Sequence, residues 1–577
     1  MSSRGRLGVP GLFIRKEGRP PAFDALSLRK SDYILIIGLL AMVVFLGLYL
    51  YRHLDDNRLT GWRWVFKTAR PAYTFVALGA SVAAAWLLSR LRMPGPGLLF
   101  VIAFGFSALF WREPEVLVDA SRYFTQAKHL ELYGAGYFLR EWGGEVAPWT
   151  DMPLVPFLYG LAYKVFGEAR VVTQALVSAM FALTAAVSYL LGRDLWDEDV
   201  GQSAGALMLA MPFLYSQVPL LLVDVPAMFF LAVSVFAFNR ALERGGAGYA
   251  GLTALAVFAS VFSKYSLWLM LTVLGIVFLV RLPRAPWTVL RRAASALALS
   301  GALSGAFAAY KYGTIREQME LLMAFQKPAL KGWSESYVST FLYQVHPFVT
   351  AGAVFSVVAA VRRKDPRYLI AAWLLVLMFA LEIKRSRYVI PLFPMLALLS
   401  AYGLREIREV QIRRFVVAVS VLMSVSLAFF AYLPYLDSLS AVNLKRAGRY
   451  LDAQAPGEVM VFTTPQRSTV NPAVAVPILD LFTKKRISYG YEPANVPGEE
   501  SLRLAPLRFT WEYDNPRYYE PRGEGPWPLV AVISARASDP LPEALARDIG
   551  SYNLLETFGA ATDIFSYKTV VRVYGRR

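Results

Sequence analysis

A succession of long apolar runs constrains this chain more than any other feature. About thirteen runs approach the roughly 20 residues that a helix needs to cross a hydrocarbon core about 30 Å thick. Of the 577 residues, 56% are hydrophobic and 18% are charged, whereas soluble domains have roughly 45–50% and about 25%. The sequence predicts a mainly α-helical, multi-pass membrane protein, with spans at about 33–51, 72–90, 97–111, 170–192, 200–217, 222–239, 248–262, 265–281, 294–311, 345–361, 368–383, 388–404 and 413–433.

The charged residues narrow the function classes. The net charge is +18 and there is no cysteine, which excludes disulfides, thiolate metal sites and cysteine nucleophiles. In a multi-pass protein, positive charge usually marks cytoplasmic loops and anionic lipid heads. No pattern indicates binding to nucleic acid, so membrane lipids are the expected partners of this charge.

Hydropathy divides the chain into three parts. A basic N-terminal segment, 1–31, precedes a transmembrane region, 32–435, and the remaining residues, 436–577, are much less apolar. In this last part helix-like segments alternate with apolar β-branched runs, which are typical of strands, at 458–464, 528–535 and 568–575. We therefore expect a small C-terminal α/β domain.

Short loops rich in lysine and arginine indicate the orientation, because such loops remain in the cytoplasm. Loops 281–292, 362–367 and 405–414 contain four cations each, which predicts a cytoplasmic N-terminus and a C-terminal domain outside the cytoplasm. The shorter apolar stretch 153–167 is then expected to be an interfacial helix rather than a span. Loop 52–71 disagrees with this scheme, since it carries five cations on the predicted outer side.

The same scheme places the sequence "KRSRY" (384–388) outside, where the orientation rule disfavours positive charge. Guanidinium groups bind phosphate in a bidentate manner and stay charged, so a turn rich in arginine at an outer cavity is suited to a phosphate group. We therefore expect Lys384, Arg385 and Arg387 to face a negative partner, such as a lipid phosphate.

Two aspartates fall at the predicted outer ends of spans. Asp119 follows the third span, and a carboxylate at the water edge of a bundle can act as a general base. Its alternative role is to cap the helix that follows. Asp224 lies in the apolar stretch "PLLLVDVPAMFF", where an ionised group indicates function unless it only starts a helix before Pro226.

Other polar residues give weaker signals. Lys264, in the turn "FSKYSLW", is a further candidate cation for the outer cavity, and its alternative is an interfacial lysine that reaches the lipid heads. The three histidines, at positions 53, 129 and 346, are scattered through the sequence. A divalent metal ion held between two of them stays open as an alternative, although isolated histidines are usually structural.

An ordered set of stretches resembles the GT-C membrane glycosyltransferases. The stretches are "DASRYFTQAKHLELYG" (119–134), "DMPLVPFLYGLAYKVFG" (151–167), the region around Asp224, "FSKYSLW" (262–268) and "KRSRYVIPLFPMLALLSAYGL" (384–404). The most similar group contains the protein O-mannosyltransferases and the lipid A aminoarabinose transferase. The resemblance covers roughly 97–410 in the same order.

This resemblance implies roles for individual residues. Asp119 matches the acid that the family has at its catalytic centre, and Asp224 matches a second acid from the next outer loop. Arg122 and Tyr123 match residues near the lipid phosphate, and the family's late Arg-Tyr pair corresponds to Arg387 and Tyr388.

The sequence departs from the family pattern at two positions. Ala120 replaces the glutamate that often follows the first acid, and Asp151 stands where some members have a basic residue or histidine. The second departure bears on the contacts to the donor head group and the acceptor more than on the reaction type.

The resemblance implies a transferase that moves a sugar from a polyprenyl-phosphate donor to an acceptor hydroxyl of a protein, lipid or glycan outside the membrane. A transporter or flippase is the alternative from another class, although the predicted spans contain few ionisable residues away from their ends. A GT-C transferase of preassembled glycans, or one that uses a lipid pyrophosphate, is the alternative within the same fold.

Overall fold

The computed structural model describes residues 29–331, 333, 335–380, 384–464, 472–490, 498, 508–511, 515–521, 526–560 and 568–577. Most of the predicted N-terminal segment 1–31 and the end of the predicted span 368–383 therefore lie outside the described residues. The described part consists of a large helical bundle followed by a small sheet.

A series of helices precedes the sheet in the described part of the chain, and all but the last of them belong to the bundle. In chain order they are α1 Lys30–Leu50, α2 Trp62–Thr68, α3 Pro71–Leu88, α4 Pro96–Ala108, α5 Asp119–Tyr133, α6 Ala135–Glu141, α7 Leu154–Phe166, α8 Arg170–Leu195, α9 Glu198–Leu207, α10 Pro212–Tyr215, α11 Asp224–Arg244, α12 Ala247–Ser263, α13 Ser266–Met270, α14 Val273–Arg281, α15 Pro286–Tyr310, α16 Tyr312–Leu321, α17 Lys327–Lys331, α18 Tyr337–Ser339, α19 Pro347–Arg363, α20 Tyr368–Ala380, α21 Phe393–Leu404, α22 Val410–Leu427, α23 Leu433–Leu436 and α24 Val442–Asp452. A 3₁₀ segment, Ser386–Leu392, leads into α21.

Eight helical stretches within the described residues are long and apolar enough to cross a membrane, and four more apolar helices are shorter. The prediction of a mainly helical membrane protein is therefore confirmed, whereas the count of thirteen spans is not. The predicted span 200–217 is not one helix: α9 ends at Leu207, and Pro212 starts the separate short helix α10. These residues are nearly all buried within the bundle, so their apolar character reflects contact with protein.

Stretch 153–167 forms helix α7, which packs tightly against α5, while its position at the membrane interface stays a prediction. The approach is closest at Gly160, where a Cβ atom would lie 2.6 Å from the Cβ of Leu130 and 2.7 Å from the carbonyl oxygen of Ala127. Only glycine allows the two backbones this close. Helix α7 thereby fixes the position of α5, which begins at Asp119.

The five cations of loop 52–71 each lie over an aromatic ring. The distances from cation to ring centroid are 4.6 Å for Arg52 on Tyr49, 4.6 Å for Arg58 on Trp333, 4.6 Å for Arg63 on Trp64, 4.5 Å for Lys67 on Trp64 and 5.7 Å for Arg70 on Tyr73. Such contacts contribute roughly 0.5–1 kcal/mol each at exposed sites. The loop therefore has a structural reason for its charge, independent of the orientation rule.

The sheet has five strands in the order β2-β1-β3-β5-β4, with β1 Glu458–Thr463, β2 Arg486–Gly490, β3 Leu529–Ser534, β4 Tyr552–Phe558 and β5 Val570–Arg576. Strand β1 pairs in parallel with β2 and β3, while β5 is antiparallel to β3 and β4. The same region of the chain contains helix α24 and two further helices, α25 Ala475–Asp480 and α26 Glu543–Arg547. The three predicted strands are confirmed, and the placement of the domain boundary at 435/436 stays a prediction.

The sheet region contacts the bundle through helix α5. Asp480 of α25 is buried and accepts hydrogen bonds from Lys128 Nζ at 2.5 Å and from the Tyr519 hydroxyl at 2.6 Å. Lys128 also pairs with Glu168 at 3.0 Å. Val118, directly before α5, is buried in one apolar cluster with strand residues such as Val459, so the C-terminal region lies at the same end of the bundle as the first turn of α5.

Candidate functional site

Five connections between helices meet at one end of the bundle and bring acidic and basic side chains together. They are the start of α5, the loop before α7, the start of α11, the end of α12 and the 3₁₀ segment that begins at Ser386. The charged residues that these connections contribute are Asp119, Arg122, Asp151, Asp224, Lys264 and Arg387. We call this group the ion-pair chain.

Positive and negative groups alternate along the ion-pair chain. The successive N–O distances are 2.5 Å from Lys264 to Asp224, 2.6 Å from Asp224 to Arg387, 2.6 Å from Arg387 to Asp119, 3.6 Å from Asp119 to Arg122 and 2.9 Å from Arg122 to Asp151. All six side chains are largely buried, where an unpaired charge would be very costly. Alternation lets six charges share a space that could not hold any one of them alone.

Asp119 does not cap its helix. Helix α5 begins at Asp119, but no side chain caps its N-terminus, and the carboxylate instead accepts a hydrogen bond from Arg387 Nη1. Its side chain is 14% exposed, whereas that of Asp224 is 0% exposed. Asp119 is therefore the more accessible of the two predicted catalytic acids.

Asp224 both starts helix α11 and binds two cations. Its Oδ1 accepts a hydrogen bond from Lys264 Nζ, and its Oδ2 accepts two from Arg387, at 3.1 and 2.6 Å. Lys264 is buried in this pair and also lies 4.6 Å from the Tyr388 ring centroid. The alternative of an interfacial lysine that reaches the lipid heads does not apply.

Asp151, to which the sequence assigned no role, is a member of the ion-pair chain. Its carboxylate pairs with Arg122 and accepts a hydrogen bond from the Tyr123 hydroxyl at 3.2 Å. The negative charge of Asp151, which departs from the family pattern, is thus compensated within the protein, because Arg122 lies between Asp151 and Asp119. Apart from that departure, the sequence showed only an acid two residues before Pro153, close to the start of α7.

A small, polar cavity of about 40 Å³ borders the ion-pair chain. Asp119, Arg122, Asp151, Lys264 and Arg387 line it, and so do the predicted phosphate-site residues Tyr123, Arg385 and Tyr388. The Tyr388 hydroxyl lies 2.9 Å from that of Tyr265. Lys384 is not brought to the cavity; its side chain is exposed.

The 3₁₀ segment that carries Arg387 is held by buried polar groups. Ser386 donates to Glu335 Oε2 from its backbone N–H at 2.6 Å and from its hydroxyl at 2.5 Å, and it accepts a hydrogen bond from Asn57 Nδ2 at 2.7 Å. These contacts connect loop 52–71 and the segment before α18 to the cavity. They fix the direction of Arg387. Sequence analysis could not predict these contacts, because the residues that form them are far apart in the chain.

The histidines do not form a pair. His53 is exposed, His129 bonds to the carbonyl oxygen of Thr125 at 2.8 Å, and His346 accepts a hydrogen bond from the Phe348 backbone N–H. Within the described ranges no three histidine or carboxylate side chains are grouped as they would be around a metal ion. A role for a divalent metal stays an untested expectation.

The cavity has one excess positive charge, because Arg385 adds a fourth cation to the three cations and three carboxylates of the ion-pair chain. Burial alone would raise the pKa of Asp119, but the charges of Arg122 and Arg387 outweigh it and hold the pKa below its usual value. Burial raises the pKa of Asp151 to about 6. Asp119 is therefore ionised at neutral pH, while Asp151 titrates just below neutral pH.

Known proteins resemble this chain in part of the sequence and in the fold. Residues 148–306 match the family model described as dolichyl-phosphate-mannose-protein mannosyltransferase. This segment contains Asp151, Asp224 and Lys264, whereas Asp119 and Arg387 lie outside it. No curated protein sequence matches the chain significantly.

Among solved structures, ArnT from Cupriavidus metallidurans bound to undecaprenyl phosphate aligns with a TM-score of 0.55 and 13% identity, covering 82% of this chain and 97% of ArnT. The apo state of ArnT gives a TM-score of 0.51 and 12% identity, with 86% and 97% covered. The archaeal oligosaccharyltransferase AglB from Archaeoglobus fulgidus is more distant, with a TM-score of 0.46 and 12% identity over 76% of this chain and 69% of AglB. The chain therefore has the GT-C fold of ArnT, and between residues 148 and 306 it is similar in sequence to the protein mannosyltransferase family, in agreement with the resemblance found in the sequence.

Proposed function

We propose that this protein is a membrane glycosyltransferase that moves one sugar from a polyprenyl-phosphate donor to an acceptor hydroxyl of a protein, a lipid or an envelope glycan. The observation that carries the proposal is a partly accessible carboxylate, Asp119, in an arginine-rich cavity of a GT-C fold. The likeness to ArnT, whose structure holds undecaprenyl phosphate, supports a lipid phosphate as part of the donor.

In the proposed reaction, the acceptor oxygen forms a bond to the anomeric carbon from the face opposite the phosphate, so the configuration inverts. The bond from the anomeric carbon to the phosphate oxygen breaks, and its electron pair leaves with polyprenyl phosphate. The acceptor proton passes to Asp119. A carboxylate with a low pKa is a weak base, so proton transfer is late, after the acceptor oxygen has become more acidic through partial bonding to carbon.

Two tasks can then be assigned among the predicted site residues. Arg385 and Arg387 stabilise the charge that develops on the departing phosphate, because guanidinium groups fixed in a water-poor site need little reorganisation. Asp224 faces away from the cavity between two cations, so we assign it a positioning role for Arg387 rather than direct contact with substrate.

A strain that lacks this gene tests the proposed function. Mass spectrometry of its envelope glycans and glycoproteins is expected to show the loss of one sugar, restored by the wild-type gene and not by Asp119→Asn. An unchanged glycan profile, or full restoration by Asp119→Asn, would contradict the proposal. Loss of an entire preassembled glycan would favour the alternative GT-C activity.

The pH dependence of donor use is a sharper prediction. When the pH falls from 7 to 5, Asp151 takes up a proton and the cavity gains one positive charge, since Asp119 stays ionised. The KM for the lipid-phosphate donor is therefore expected to fall, by roughly tenfold if the change is worth about 1.4 kcal/mol. Initial rates with a short-chain donor at several pH values measure this.

Two variants separate this effect from general pH dependence. Asp151→Asn removes the titrating carboxylate, so it should have the low KM at pH 7 and little change at pH 5. Glu168→Gln is the matched control, because burial raises the pKa of Glu168 to about 7 but this residue lies outside the cavity. A pH response that persists in Asp151→Asn and disappears in Glu168→Gln would refute the assignment.

We also propose that the cavity opens on the outer side of the membrane. Because Asp480 of the C-terminal region contacts α5, a reporter fused after Arg577 reports the side on which the cavity lies. An alkaline phosphatase fusion is expected to be active, and a green fluorescent protein fusion exported by the same route to be dark. The reverse pattern would place the cavity in the cytoplasm and remove an outer-leaflet donor.

A further inference from the structure

A second, larger cavity lies at the opposite end of the bundle. It has a volume of about 470 Å³ and is a groove between the end of α3, the helices α4 and α9, and the start of α22. Helix α4 begins at this groove and runs toward the chain segment that leads to Asp119. The groove therefore begins at the end of α4 opposite to the end that leads to Asp119, and it extends along this helix to Phe106.

The wall of the groove is almost entirely aliphatic and aromatic. Leu98, Phe106 and Val421 line it along with other apolar side chains, and Leu98 is 59% exposed. Its volume falls within the roughly 300–1,000 Å³ typical of small-molecule sites. An open apolar groove on the surface of a membrane-spanning bundle is suited to a hydrocarbon chain.

Two arginines stand at the groove, one on each side. Arg92 lies in the turn between α3 and α4, and Arg414 lies in the first turns of α22. Neither makes an ion pair or side-chain hydrogen bond with any residue that the structure describes. Several other cations at this end do have carboxylate partners, among them Lys30 with Glu409, Arg363 with Glu406, Arg405 with Asp197 and Arg413 with Asp199.

We propose that this groove binds one anionic phospholipid of the leaflet away from the polar cavity. An acyl chain lies along the apolar wall, and the phosphate of the head group accepts hydrogen bonds from Arg92 and Arg414. The proposal rests on charge complementarity: two arginines without carboxylate partners flank an apolar groove, whereas a neutral chain alone would need neither of them. It does not depend on the sugar-transfer reaction.

Native mass spectrometry of the purified protein tests this inference by titration with phosphatidylglycerol and with phosphatidylcholine of the same chains. We expect one phosphatidylglycerol per protein and weaker retention of phosphatidylcholine. The double variant Arg92→Gln/Arg414→Gln should weaken phosphatidylglycerol binding by on the order of thirtyfold, because each basic residue near an anionic head group contributes roughly a fivefold factor. Its binding of phosphatidylcholine should be unchanged.

A second variant tests the groove without altering its charge. Gly105 lines the groove, and a Cβ atom there has no other atom within 4 Å, so Gly105→Phe can fill the space without a clash at that carbon. It should weaken binding of both lipids. The matched charge control is Arg291→Gln/Arg362→Gln, which removes two exposed arginines that do not line the groove and should bind like the wild type.

Three results would overturn the inference. Wild-type retention of phosphatidylglycerol by Gly105→Phe would place the lipid elsewhere, and an equal loss in the control pair would show nonspecific attraction to charge. Displacement of phosphatidylglycerol by equimolar polyprenyl phosphate would identify the carrier lipid as the occupant. Lipid binding is compared only between variants whose melting temperatures are close to that of the wild type.

Discussion

Asp119→Asn is expected to reduce sugar transfer by about 10²–10⁴-fold while the protein stays folded and still binds the donor. Asparagine keeps the size of the side chain and can accept a hydrogen bond from Arg387, but it cannot take a proton. The measurement is the rate of transfer from a synthetic short-chain polyprenyl-phosphate donor by purified protein, with donor binding measured separately.

The matched comparison is Asp224→Asn, at the other end of the same arginine. Asp224 is 0% exposed and reaches the reaction only through Arg387 and Lys264. We therefore expect a smaller loss, in which the KM for the donor changes along with kcat. Near-normal turnover in Asp119→Asn, or a larger loss in Asp224→Asn, would exclude Asp119 as the general base.

Arg387→Ala is expected to abolish measurable transfer and also to destabilise the protein. Arg387 lies between two carboxylates, and its removal leaves Asp119 and Asp224 facing each other without their shared cation. Breaking a buried ion pair in this way typically costs about 3–5 kcal/mol. Arg387→Lys should recover only part of the stability. Its ammonium group keeps the charge but cannot bind both carboxylates as the planar guanidinium does.

The loss of stability distinguishes an Arg387 that bridges two carboxylates from an Arg387 that only contacts phosphate. Adding Asp119→Asn to Arg387→Ala leaves two complete pairs, Lys264 with Asp224 and Arg122 with Asp151, so thermal stability should rise again while transfer stays absent. Arg385→Ala is the control from the same segment, because Arg385 stacks on Trp333 at 4.3 Å and lines the cavity without bridging the acids. It should weaken donor use and leave stability near normal. Equal stability of all these variants would contradict the ion-pair chain.

The parts of the fold that were predictable are those with a strong one-dimensional signal. Long apolar runs predicted most of the spanning helices, and β-branched runs predicted β1, β3 and β5. Strands β2 and β4 were missed because they are the two edge strands, and edge strands need less apolar sequence. The error at 200–217 has a different cause: hydropathy does not distinguish residues buried in protein from residues that face lipid.

The candidate site was predictable as a set of residues but not as a geometry. Asp119, Asp224 and Arg387 were identified from their position at span ends, and the structure brings them into contact. The partnership of Asp151 with Arg122 could not be inferred, since pairing depends on how α5 and α7 pack. The direction of Lys384 away from the cavity is set by the turn that Glu335 and Ser386 form, which leaves no trace in local sequence.

We propose above all that Asp119 serves the transfer of a single sugar from a lipid monophosphate. The most direct test of this proposal adds purified wild-type protein to membranes of the deletion strain, which supply donor and acceptor, and quantifies lipids and glycans by mass spectrometry. We expect one polyprenyl phosphate to be released for each sugar transferred, and no release with Asp119→Asn. Release of polyprenyl pyrophosphate, transfer of a whole glycan, or equal release by Asp119→Asn would contradict it.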